Sequence, residues 1–547
     1  MGDMICFFGQ NQFLTQEEIR KELRSILVYR SKKAEALPER EIESLLRSYL
    51  NLAELNLVLH QFSPGFLGEG VENMFEEEME RSVLGKAMAQ DDPLMIKDFS
   101  TEASSSFIDQ GLLMKGVRSL LLAAVKNEDT QKVVGIFQLT HPEPGSFNRE
   151  ILQELEEIFL MISFYLCRKQ EEKEYQIHLM MQEYFTSIHP SVMWKFRAAA
   201  IQLFARKKKG TLLEKGIPAV IFPKVYPLYG QADIVGSSKL RNEAIQADLI
   251  ESLQLADNTL EKLSLKTKSL LGKELAFRVK KQLKNIREEF HSNDESGVVE
   301  LLHSEVHPFI NDVKKDSGKD AFPFLDEYFN ALDTKLNIVY KRRKAFEVSV
   351  TRLNQALSGY IEQSDREMQS FLPHYFEKYT TDGLEYNIYL GQSLLEERHF
   401  FSFHLSEFNL WHLLQMCEIT RLVKAMQSET PVPLQTAQLI FWYSETLDIR
   451  FRQDEKQFDV DGAYNVRYEI LKKRIDKAVV EGSGERLTLS GKIAIVYLNP
   501  KDRKEIDRHL QYLVSEGYIS DDIEDLVLAK LQGVEGLKAV RVTVRAV

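Results

Sequence analysis

The densest run of residues able to do chemistry is Asp448-Ile449-Arg450-Phe451-Arg452-Gln453-Asp454, continuing through Gln457-Phe458-Asp459-Val460-Asp461-Gly462 to Arg467. Guanidinium forks match phosphate oxygens and carboxylates hold cations, so Arg450, Arg452, Asp459, Asp461 and Arg467 could form an anion or ion-pair site. Asp459-Val460-Asp461-Gly462 has the order of a calcium loop's start but lacks the oxygen donors such a loop carries to its twelfth position. The same residues suit an ion-paired turn shaped by Asp461-Gly462. A second polar stretch holds Asp233, Ser237, Arg241 and Asn242, which could bind an anion at a helix N-terminus or simply cap it. His303 and His307 share a helix face without the glutamate of a zinc protease or a third ligand. His404, His412 and Cys417 sit among Phe401, Phe403, Phe408 and Trp411, which reads as an apolar core helix. Gly482-Ser483-Gly484 follows a helix and precedes a strand, the reverse of a phosphate-binding loop. No residue set reads as catalytic, and no metal site or cofactor is named by the sequence.

The elements that would position these groups follow from periodicity. Thr15-Gln16-Glu17-Glu18 reads as a capped helix start, and 38–54 as a second helix. Alternation predicts a strand over 54–62, with a helix over 76–88 and strands over 93–98, 116–125 and 133–140, the last two a hairpin. A long helix over 147–173 follows, then one over 175–207 interrupted near Pro190. Residues 217–222 read as a strand, 226–238 as a polar loop, and Ser237 or Ser238 as the cap of a helix opening at Lys239. Helices dominate to about 428, with breaks near 292–297 and 315–320 and a short strand at 384–390. Strands at 438–443, 447–452, 492–498 and 538–544, with helices at 465–480 and 502–516, suggest a closing α/β module. The chain of 547 residues exceeds a single core. The reading is therefore α+β and multidomain. The domains are expected at 1–170, 171–240, 241–430 and 431–547, the last a C-terminal α/β module after a long helical middle.

A net charge of −12 argues against nucleic-acid and anionic-membrane partners, and the basic runs at 206–209 and 341–344 read as solvated helix ends. Three scattered cysteines argue for a reducing compartment. The first residues match neither a signal peptide nor a myristoylation motif, and the apolar run at 158–166 is too short to span a bilayer. The expectation is a cytoplasmic protein.

Gly116-Val117-Arg118-Ser119-Leu120-Leu121-Leu122, then Val134-Gly135-Ile136-Phe137-Gln138-Leu139, then Pro142-Glu143-Pro144-Gly145-Ser146-Phe147 leading into a helix, resemble the C-terminal half of a GAF domain. Ser82–Met88 and 91–98 look like the preceding helix and strand. The chain as a whole, including 226–242 and 457–473, resembles large GAF-containing bacterial proteins of the Bacteroidetes type. The resemblance implies a sheet with a cavity on one face, binding an unspecified small-molecule ligand or serving dimerisation. Arg118 and Gln138 are its candidate ligand-binding polar groups, although strand alternation places each on either face equally. The function this implies is non-enzymatic signal sensing, in which a bound ligand shifts the packing of the 147–173 helix. The alternatives are an enzyme of unrecognised type using the Arg/Asp-rich module on a phosphorylated or nucleotide substrate, and a scaffold with a degenerate GAF domain. Long helices suit a homodimer, though no sustained heptad seam is present.

Overall fold

The computed structural model describes residues 15–29, 39–61, 78–127, 131, 133–185, 188–210, 216–317, 322–454, 457–461, 466–531 and 536–545. They fall into two compact units: Met1–Thr186 with Arg197–Pro218, and Ser187–Phe196 with Ala219–Val547.

The first unit is built on β1 (Asn56–Gln61), β2 (Leu94–Ile96), β3 (Ser119–Lys126) and β4 (Val133–His141), antiparallel in the order β1-β4-β3-β2. All four expected strands form, and β3 and β4 make the expected hairpin. β3 is apolar from Leu120 to Val125 because both faces are covered. Leu121, Ala123 and Val125 share a core with buried residues of the helices Gln16–Arg24, Glu39–Leu50 and Arg149–Tyr184. The first of these helices opens on the expected capping box, where Glu18 N donates to Thr15 Oγ1 at 3.3 Å and Thr15 N donates to Glu18 Oε2 at 2.7 Å. On the other face, Leu120, Leu122 and Ile136 pack against Val83, Leu84, Ala87, Ile96, Phe99 and Val117. Among the described residues that half of the face is filled by side chains. Two short helices absent from the sequence reading, Phe99–Glu102 and Phe107–Met114, contribute to this layer, each started by a capping side chain, Asp98 and Ser106.

The second unit carries a nine-stranded sheet. Its strands are β5 (Ile221–Ile234), β6 (Tyr375–Thr381), β7 (Gly383–Leu390), β8 (Thr436–Trp442), β9 (Leu447–Arg452), β10 (Gln457–Asp461), β11 (Lys492–Tyr497), β12 (Glu524–Val527) and β13 (Lys538–Thr543). The path runs β10-β9-β5-β8-β11-β13-β12, with β7 on the other edge of β5 and β6 beyond it. Among the described residues, only the β8–β11 pairing of this sheet is parallel. One face joins the helices Arg342–Phe371, Ser402–Met426 and Pro500–Ser515 in a single core through Leu228, Ala232, Tyr386, Ile388, Ile440 and Ile495. The helices between Ser237 and Ala331 enclose a core of their own around Leu249, Leu253, Leu260, Val279, Val306 and Ile310.

Four expectations change here. Residues 226–234, read as part of a polar loop, are the centre of β5, hydrogen-bonded to β7 on one edge and β8 on the other. Pro227 escapes the usual penalty because it stands at the step between Val225, paired with β9, and Leu228, paired with β8. The helix opens at Ser237, and its N-cap is Gly236 at φ 67°, with no side-chain capping bond. Residues 292–297 begin the helix Ser292–Leu301, the chain breaking just before it. The strands expected as a separate closing module hydrogen-bond into the sheet of β5 and β7. Among the described residues, no helix is long and apolar enough to cross a membrane.

Candidate functional site

The sheet face opposite that core carries polar side chains in rows set by strand register. Tyr229, Asn387 and Glu377 lie side by side on β5, β7 and β6, and the next row is Gln231, Glu385 and Tyr379. Tyr389 and Tyr375 form the row before. Facing them is the helix Val466–Ile475. Its spacing explains how it serves two sides: Tyr468, Leu471 and Ile475 are buried, while Glu469, Lys472 and Lys473, with Asp476 just past its end, recur at i, i+3, i+4 and i+7. Those four residues, the strand rows apart from Tyr375, and 457–460 of β10 line a cleft of about 580 Å3.

Its electrostatics are set by burial. Burial raises the Glu377 carboxyl above the usual carboxylate range, although Tyr375 and Tyr379 both donate to it, the latter at 3.3 Å. Burial likewise raises Glu385, opposed by the Lys472 charge. The Tyr229 and Tyr375 hydroxyls are pushed well up by burial, and Tyr379 to about 12. Lys472 donates to Glu469 Oε1 at 2.9 Å and to Asn387 Oδ1 at 3.4 Å, and its ammonium lies 5.7 Å from the centre of the Tyr229 ring. One carboxylate oxygen of Asp476 is buried without a hydrogen-bond partner.

Of the residues singled out in the sequence, Asp459 lines this cleft and accepts from Arg452 Nε at 3.0 Å. Arg450 pairs with Asp461 at 3.0 Å across the same β9–β10 hairpin, so Arg450 and Arg452 are each held by an aspartate of the run. The Arg467 side chain and Gly462 lie outside the described residues. Asp233 shares the strand face of Tyr229 and Gln231; burial raises its carboxyl, Arg486 opposes this, and Asp382 and Asp476 add to it. Ser237 and Arg241 do not gather round Asp233. Arg241 Nη2 donates to both carboxylate oxygens of Asp382 at 2.7 Å, and Ser237 Oγ donates to the same carboxylate at 3.1 Å.

In the first unit, Gln138 does face the layer of Leu120 and Leu122, is buried, and lies 2.8 Å from His60 Nε2. Arg118 closes a two-bond fork on Asp98 at 3.0 and 2.9 Å, and this guanidinium, then Ser100, holds the Asp98 carboxyl well below the usual range. His303 and His307 have separate partners: His303 Nε2 lies 3.0 Å from Leu336 O and His307 Nε2 lies 3.0 Å from Tyr328 Oη. Burial pushes the Cys417 thiol up to about 12. Among the described residues, no group of three or more His, Cys, Asp or Glu is placed to hold a metal.

Sequence reasoning missed Tyr229, Gln231, Glu377, Tyr379, Glu385, Asn387, Glu469, Lys472 and Asp476. The usable signal was the i, i+3, i+4, i+7 polar set beside an apolar stripe at 468–478. The strand rows gave none, because their neighbours come from segments some 150 residues apart in sequence. Comparison with protein-family models and with curated proteins finds no match to this chain.

Proposed function

We propose that this chain is a non-enzymatic, small-molecule-binding regulatory protein whose ligand site is the tyrosine- and carboxylate-lined cleft of the second unit. The observation that carries the reading is the convergence of polar groups from three adjacent strands and a facing helix on one hollow, the arrangement expected of a binding pocket. The first unit is GAF-like on this reading: its hairpin and the helix leaving it follow the order the resemblance implies. Its side-chain-filled layer makes it a scaffold or dimerisation element. The phosphate-substrate alternative loses support because Arg450 and Arg452 are already ion-paired. A different enzymatic reading has a specific observation behind it: Glu377 and Glu385, both raised, stand diagonally on neighbouring strands where one could donate a proton.

A thermal-shift screen of nucleotides, amino acids, amines and tetrapyrroles tests this. A stabilising compound should lose its effect in Gln231→Trp, which fills the cleft, and should be recovered unchanged after incubation. A hit that survives Gln231→Trp but is lost in Gln138→Ala moves the site to the GAF-like sheet. Chemical conversion of the hit, abolished by Glu385→Gln, establishes the enzyme instead.

A further inference from the structure

Five carboxylates line the cleft (Glu377, Glu385, Asp459, Glu469 and Asp476) against two lysines. Asp459 is neutralised by Arg452 and Glu469 by Lys472. Glu377, Glu385 and Asp476 make no ion pair among the described residues, and the last keeps a buried oxygen with no donor at all. Partly buried carboxylates with only Lys472 near them are costly to ionise, and a cation that arrives with a ligand offsets that cost. The aromatic wall points the same way. Tyr229, Tyr379 and Tyr389 line the cleft. Tyrosine faces attract ammonium and guanidinium groups. The cleft already solvates one such group: the Lys472 side chain is only 12% exposed and is held by Glu469, Asn387 and the Tyr229 ring.

We infer that the ligand is an organic cation, a primary ammonium or guanidinium on a short apolar stem, seated against Glu385, Glu377 and Asp476 and flanked by the tyrosine rings. The inference rests on the cleft being the ligand site. The stem would lie along Tyr229, Tyr379 and Phe458, and the unpartnered Asp476 oxygen would take part in holding the charged head. A free metal ion is a poorer fit, since no three ligands gather for it among the described residues.

Isothermal titration of the full-length chain with 1,5-diaminopentane and with agmatine tests the inference, with neutral 1,5-pentanediol and magnesium chloride at matched ionic strength as comparisons. At least one of the two cations should bind, and pentanediol and magnesium should not. Glu385→Gln and Asp476→Asn should each weaken binding at least ten-fold, with thermal unfolding reporting whether the variants fold. Gln231→Lys, which places a tethered ammonium in the partly exposed centre of the cleft, should abolish it and serves if a carboxylate variant misfolds. Equal binding of magnesium, or cation binding that changes less than two-fold in all three variants, overturns the inference. If neither cation binds while another compound of the wider screen is blocked by Gln231→Lys, the cation fails and the cleft stands. If whatever binds is indifferent to the cleft substitutions, both fail.

Discussion

At Gly230 an added Cβ would lie 2.5 Å from His412 Nε2 and 2.7 Å from Tyr386 Cζ, and would also strike Met416 Cε. The glycine is there for close approach, on the face of β5 turned away from the cleft, so that an imidazole and a phenol can pack against bare backbone. Gly230→Ala is expected to destabilise the second unit by about 2 kcal/mol through overpacking, read as a lower denaturant midpoint. His412 behind it is buried with Nε2 unpartnered, and burial pushes its pKa down to about 3. An unfolded histidine titrates near pH ~6.5. Below that pH the unfolded chain binds a proton the folded chain refuses. The histidine's full stability is therefore present above about pH 6.5 and is lost as pH falls towards about 3. His412→Leu should flatten the decline in this window by up to about 1.4 kcal/mol per pH unit. Some slope should remain, because burial holds His307 down in the same direction, to about 4. Parallel wild-type and variant profiles between pH ~6.5 and ~5 would contradict this reading of the buried imidazole.

Elements that organise themselves locally were legible in the sequence, and elements that depend on distant partners were not. The Thr15 capping box and the β3–β4 hairpin each satisfy their backbone within a few residues or with the next segment and match the expectation, whereas the helix expected over 147–173 runs on without a break as Arg149–Tyr184. β5 was not, for a physical reason. Its Tyr229, Gln231 and Asp233 look outward-facing by composition, yet they line or adjoin an internal polar cleft. Pro223, Pro227 and Gly230 also punctuate it like a loop. The strand exists because β7 and β8, far along the chain, supply its hydrogen bonds. The cleft inherits this invisibility, and only Asp459 was singled out beforehand. Asp109 shows the same non-local logic in the first unit. This fully buried carboxylate on the helix Phe107–Met114 accepts from Val83 N at 3.1 Å, at the start of another helix, and from Ser104 N and Oγ at 2.8 and 2.7 Å. Asp109→Ala leaves these donors unpaired and should cost about 2 kcal/mol. The loss should be confined to the first unit's unfolding transition, as followed by hydrogen exchange at β2 and β3.

At the scale of the whole molecule, each unit has a hydrophobic core of its own. The location of the ligand site can therefore be asked of each unit in turn. The most direct measurement is hydrogen–deuterium exchange of the full-length chain with and without the strongest hit of the thermal-shift screen. The account predicts added protection in β5, β6, β7 and the helix Val466–Ile475, with exchange in β2, β3 and β4 unchanged. Protection gained in β2, β3 and β4, with none around the cleft, would contradict it.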